Sequence, residues 1–207
     1  MLRRRFTAAL LGGAGAALAA PVVRAQTAGA PPATVLLVPF GGAPDAALRE
    51  VEAGLRAGMG ADVVRCDPIA LPDPTWRLPH ARYDPERLFE RARPLVRPPV
   101  TRFLALLGGD TATATSRCDW PLGDVDRLGG VLSLARCQTD PPSEERVRFR
   151  VVTGALHALG HTLGLPHCAD TACLMTAAHG LARAIDRTSG RFCAVCRSRL
   201  GLPPRAG

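Results

Sequence analysis

Residues 157–168 read HALGHTLGLPHC, followed by ADTACLM over 169–175 and, seventeen residues further on, by CAVC over 193–196. On a helix turning about 100° per residue, His157 and His161 stand about 40° apart and one turn along the axis, so both imidazoles can reach one ion. Gly164 comes three residues later, where a left-handed residue can end the helix and swing the chain back. His167 then approaches the same ion from a loop. Three neutral imidazoles leave a fourth zinc position for water, which separates a catalytic type of site from a closed structural one.

Cys168, Cys173, Cys193 and Cys196 form a second set of two pairs, one of them CxxC. Such a set fits either a tetrahedral structural zinc or two disulfides. Zinc is the favoured reading, because a histidine set directly adjoins the cysteines and two bridges would leave that set without its anchor. His80 and His179 belong to no pattern and read as ordinary surface or satisfied residues.

In these spacings the chain resembles the archaemetzincins, a metzincin-class family of zinc peptidases with the pattern HExxHxxGxxHC, four residues, CxM, seventeen residues, CxxC. The resemblance implies that His157, His161 and His167 hold a catalytic-type zinc, that the four cysteines hold a structural zinc, and that Met175 forms a floor beneath the histidine site. Two zinc ions are therefore expected. Weaker likeness extends through the SLAR segment (133–136) and ARYDPERLFERAR (81–93), so the resemblance is expected to span most of the mature chain.

One residue departs from the family pattern. Ala158 occupies the position of the glutamate that activates water. It projects about 100° from His157 and about 60° from His161, on the metal-facing side of the helix. A glutamate there would take a proton from zinc-bound water and pass it to the leaving amine; a methyl group does neither. General acid–base assistance contributes about 100- to 10,000-fold, so absent or strongly reduced peptidase activity is expected. Two routes around the loss are open. Zinc alone brings bound water to a pKa near about 7, so zinc hydroxide can serve easier substrates; or a carboxylate such as Asp119, Asp124 or Asp170 substitutes as base.

The first 25 residues read as an export signal: Arg3, Arg4 and Arg5 before Phe6, an Ala/Gly/Leu run to Ala20, and Val23-Arg24-Ala25 before Gln26. The RRxF arrangement and the mild, glycine-bearing apolar run fit a twin-arginine signal better than a general secretory signal or a membrane span. Folded export to the periplasm, with cleavage near Ala25, is the expectation. That route suits the cysteines, since zinc loaded in the cytoplasm occupies thiols before they meet an oxidising compartment. Without the signal, 22 basic residues face 18 acidic ones. All the basic residues are arginine, which reads as compositional bias, so nucleic-acid binding is not expected.

Residues 26–33 read as a flexible lead-in and 34–207 as one zinc domain. Apolar runs at 34–40, 61–66, 102–108 and 130–137 are short enough for buried strands. Helices are expected over 45–58 after Pro44, near 86–94 after Asp84-Pro85, and from Ser143 through the histidines. The fold class is α/β: a compact metzincin-like domain whose zinc-binding helix packs on a mixed, twisted sheet, with a zinc-stapled C-terminal segment. Loops 67–81 and 109–129 are placed to wall a cleft, with Trp76 and Trp120 in them as packing anchors. Cys66, Cys118 and Cys137 read as buried thiols, with a Cys118–Cys137 bridge as the alternative.

Three functions are compatible with these residues. The first is a zinc-binding, protease-like protein that keeps the cleft for peptides or protein termini. The second is an active hydrolase using zinc hydroxide or a substitute base, and the third a purely structural zinc protein.

Overall fold

The computed structural model describes residues 33–71, 77–78, 82–111, 122–123, 128–140, 143–177 and 182–204. The strands are β1 (Thr34–Phe40), β2 (Asp62–Arg65), β3 (Arg77–Leu78), β4 (Arg82–Tyr83), β5 (Arg102–Leu107), β6 (Leu122–Gly123) and β7 (Gly129–Ser133). The helices are α1 (Asp45–Met59), α2 (Pro85–Ala92), α3 (Leu134–Cys137), α4 (Glu144–Thr162), α5 (Ala182–Ile185) and α6 (Ala194–Arg199).

Five strands form a mixed sheet in the order β2-β1-β5-β7-β6. The first four are parallel, and β6 joins β7 antiparallel at the edge. Period-2 alternation sorts the central strands between two cores. Val35 and Leu37 of β1 and Leu104 and Leu106 of β5 face the side covered by α1 and α4. Leu36, Val38, Phe40, Phe103, Ala105 and Leu107 face the other side, with Leu88, Phe89 and Ala92 of α2. Strands buried on both faces explain why these segments read as unbroken apolar runs.

Local signals account for the helix boundaries. Asp84 accepts the Glu86 backbone N–H at 3.0 Å, with Pro85 in the first helical position. Ser143 accepts the Arg146 N–H at 3.3 Å, and Glu144 and Glu145 sit favourably in the first turn of α4. The expected helix near 86–94 tightens into a 3-10 turn at Arg93–Leu95, where Pro94 removes a backbone donor. The expected strand over 130–137 is corrected: it stops at Ser133, whose hydroxyl caps Arg136 N at 3.4 Å and opens α3. The apolar run concealed that change of conformation because its helical half is equally buried.

Helix α4 is oriented by close packing and by polar staples. A Cβ at Gly54 or Gly58 of α1 would meet Val152 at 2.4 Å or Leu156 at 2.7 Å, so those glycines let α1 approach α4 closely. Arg102 donates to Thr162 O at 3.1 Å, satisfying a C-terminal carbonyl of α4. Arg150 is almost fully buried and holds Asp186 through two hydrogen bonds of 2.9 and 2.7 Å. It also donates to the Cys137 and Thr139 carbonyls, joining α3, α4 and the segment after α5. Among the described residues, no helix is long and apolar enough to cross a membrane.

Candidate metal centre

The second half of α4, from Thr153 to Thr162, is buried throughout and carries His157 and His161. Gly164 follows with φ of 92°, a conformation that L side chains resist, and the chain turns there as the spacing indicated. His167 comes back from the ensuing loop: its ring centroid lies 5.5 Å from that of His157 and 4.8 Å from that of His161. His157 and His161 are buried, whereas His167 is exposed. The potential ligand atoms of the three histidines lie within 4.8 Å of one another.

The orientation of the two helical rings is fixed by backbone carbonyls. His157 Nδ1 lies 2.7 Å from Leu174 O, and His161 Nδ1 lies 2.7 Å from Leu165 O. A carbonyl only accepts, so each Nδ1 carries the proton and each Nε2 of a neutral ring presents a lone pair. Those Nε2 atoms face each other at 2.9 Å. Two lone pairs at that distance repel unless a cation lies between them and a third donor. A proton is a poor substitute, because burial, followed by the neighbouring His161, pushes the His157 pKa down to about 4. The donor set therefore fits a metal, and its carbonyl-oriented imidazoles have the outer-shell arrangement of metal-ligating histidines.

The second cluster lies beside the first. Cys168 Sγ is 3.8 Å from Cys193 Sγ, and Cys173 Sγ is 3.8 Å from Cys196 Sγ. All four are free thiols, and these separations far exceed an S–S bond of about 2.05 Å. Burial, then the charge of Cys173, raises the Cys196 pKa, and burial raises that of Cys173. Four sulfurs so crowded can be thiolate together only by sharing a cation, and a tetrahedral thiolate set is zinc chemistry.

The remaining sequence expectations fall as follows. Ala158 is fully buried within the apolar core cluster. Asp170 is exposed and accepts the Ala172 N–H at 2.9 Å, serving the turn of its own loop. Met175 lies beneath α4: a Cβ at Gly160 would be 2.5 Å from Met175 Sδ. Cys66 and Cys137 are free thiols, while the alternative Cys118–Cys137 bridge involves Cys118, which lies outside the described residues. Cys137 is buried, and that burial raises its pKa to about 12. Trp76, His80, Cys118, Asp119, Trp120, Asp124 and His179, together with residues 1–32, lie outside the described residues.

Several contributors were not foreseen. The Leu174 and Leu165 carbonyls are backbone groups with no side-chain signature. Gly160 resembles any helical glycine in sequence. Arg150 reads as one more arginine on a helix, and only its burial reveals its role.

The model of Peptidase family M54 matches residues 129–201, which hold both clusters. An archaemetzincin of Methanopyrus kandleri, solved by crystallography, superposes with a TM-score of 0.71 at 26% identity, over 83% of this chain and 94% of that one. The family match and this superposition support the archaemetzincin family for this chain. The archaemetzincin of Natronomonas pharaonis is 26% identical over 79% of this chain and 97% of its own length. That of Methanocaldococcus jannaschii is 30% identical over 38% of this chain, a match spanning 46% of that relative's length. With these relatives the chain shares an archaemetzincin-like zinc peptidase fold. Zinc is the metal that both the family and the donor sets support.

Proposed function

We propose that this protein is a zinc-binding archaemetzincin with absent or strongly reduced peptidase activity, which holds peptides or protein termini at the open metal position beside its histidines. The observation that carries the reading is the pairing of a convergent histidine triad with Ala158 on the same helix. His157, His161 and His167 would bind one zinc, and Cys168, Cys173, Cys193 and Cys196 a second, structural one. Zinc at the histidines supplies a Lewis acid with a fourth position left open.

The chain's own residues define what is missing. The Leu174 and Leu165 carbonyls hold the imidazoles with Nε2 toward the ion. Ala158 can neither accept a proton from a nucleophile nor return one to a leaving amine. No aspartate or glutamate joins the histidine group among the described residues. Amide cleavage depends strongly on protonation of its poor leaving group, so ligand binding outlasts hydrolysis when that residue is lost.

The test is hydrolysis of a peptide library by zinc-loaded wild-type protein. Background-level cleavage, with zinc-dependent retention of peptides, is expected. Cleavage that chelation abolishes and His161→Ala removes would establish an active hydrolase instead. Metal binding without peptide retention would support the purely architectural reading.

Export through the twin-arginine machinery, with a periplasmic mature form after cleavage near Ala25, completes the proposal. Its support is the Arg3–Phe6 arrangement and the apolar run that follows. Replacing Arg3 and Arg4 by lysine should retain the full-length chain in the cytoplasmic fraction; unchanged export would exclude that route.

A further inference from the structure

We propose that the four-cysteine cluster sets the metal affinity of the histidine cluster through the segment Cys173–Leu174–Met175. This inference rests on the two-metal reading above. Each of the three residues serves a different part of the paired site. Cys173 brings a thiol to the cysteine cluster, where it also receives the backbone N–H groups of Met175 and Cys193, each at 3.4 Å. Leu174 turns its carbonyl to His157 Nδ1 at 2.7 Å. Met175 lies under Gly160, within the helical turn that carries both histidines.

A second covalent link runs in parallel. His167 and Cys168 are consecutive, so the loop histidine and the first cysteine share a peptide unit. Cys168 N donates to Met175 O at 2.9 Å, which closes residues 168–175 into a ring containing both cysteines. That ring is held to the C-terminal segment by Leu174 N to Arg191 O at 2.9 Å and Ser189 N to Ala172 O at 2.8 Å. The partner thiols, Cys193 and Cys196, lie at the start of α6 and within it.

Residues 163–175 contain no helix or strand, so their order must come from packing, these few hydrogen bonds and the thiol cluster. Fixing such a segment costs backbone entropy at every residue. A metal on the four cysteines clamps the ring to α6 and thereby presets both the Leu174 carbonyl and the tether of His167. The histidines then bind their ion in a preorganised site. Without that clamp, binding at the histidines must order the ring as well. Linkage makes the effect reciprocal: an ion on the histidines strengthens the cysteine site by the same factor.

The experiment is a metal titration of the full mature chain, stripped of metal under reducing conditions. Zinc stoichiometry and Kd are measured by chelator competition, and cobalt(II) spectra separate the sites by thiolate charge-transfer absorption. Wild type should bind two ions, filling the cysteines first. Cys193→Ser/Cys196→Ser, which alters α6 and leaves the ring sequence intact, should weaken the histidine site by about tenfold or more. In His157→Ala/His161→Ala, filling the remaining cysteine site should slow hydrogen exchange of the Cys168 and Leu174 amides that close and hold the ring, and this arm remains readable if the cysteine variant does not fold. A histidine-site Kd within about twofold of wild type in a folded cysteine variant would overturn the coupling, as would amide exchange in the histidine variant that zinc leaves unchanged. A wild-type chain that binds no ion at its histidines would overturn the two-metal reading itself.

Discussion

Gly160 and Met175 meet face to face: a methyl group added at Gly160 would come within 2.5 Å of Met175 Sδ and 3.4 Å of Phe192 Cε1. The contact joins the helical turn between the two buried histidines to the segment that orients His157. Met175 is fully buried, so little space exists for it to withdraw.

Gly160→Ala is therefore expected to destabilise the fold despite alanine's better helix propensity. That propensity is worth about 1 kcal/mol, whereas overpacking costs typically about 1–3 kcal/mol. A net loss of about 1 kcal/mol should appear in urea denaturation, accompanied by weaker zinc retention. A gain in stability would show that Met175 repacks without strain.

Ala158→Glu should raise zinc-dependent peptide hydrolysis by about 100- to 10,000-fold, the usual range for restored acid–base assistance. Ala158→Gln, of similar size but unable to carry a proton, should not. Initial rates with and without chelator distinguish the two. Because position 158 is enclosed by apolar side chains, both variants should also melt at lower temperature in the metal-free state.

The Arg150–Asp186 pair should prove structural. Asp186→Ala leaves a guanidinium, whose side chain is only 3% exposed, with backbone carbonyls alone as partners. The expected cost is roughly 3 kcal/mol. Arg150→Met/Asp186→Leu should cost less than the single change, because no unpaired charge remains. Equilibrium unfolding of the three variants tests this ordering.

Cys137 should resist alkylation in the native protein and react once it unfolds, since its thiol is buried with a pKa near 12. An unfolded thiol titrates near pH 9. Between those values the unfolded state alone loses the proton, so stability present below pH 9 should fall as pH rises toward about 12. The limiting slope is about 1.4 kcal/mol per pH unit. A Cys137→Ala variant should lose that part of the alkaline dependence, which thermal melts across the range would reveal.

Much of the frame was legible from local chemistry. The run at 34–40 is β1 over Thr34–Phe40, and Asp84-Pro85 and Ser143 open α2 and α4, because caps and apolar runs act within a few residues. The strand over 130–137 was misread in its second half, because apolar burial on a sheet and on a short helix leaves the same composition.

The histidine spacing, the turn at Gly164 and the two cysteine pairs were determined by sequence alone, since helical periodicity and ligand chemistry suffice to bring those groups onto common centres. Tertiary structure decided how they are held. The Leu174 and Leu165 carbonyls, Met175 against Gly160, and the burial of Arg150 with Asp186 bring together groups distant in the chain or features of the backbone itself. No residue identity records such contacts, because they exist only once the sheet, α4 and the C-terminal segment have packed.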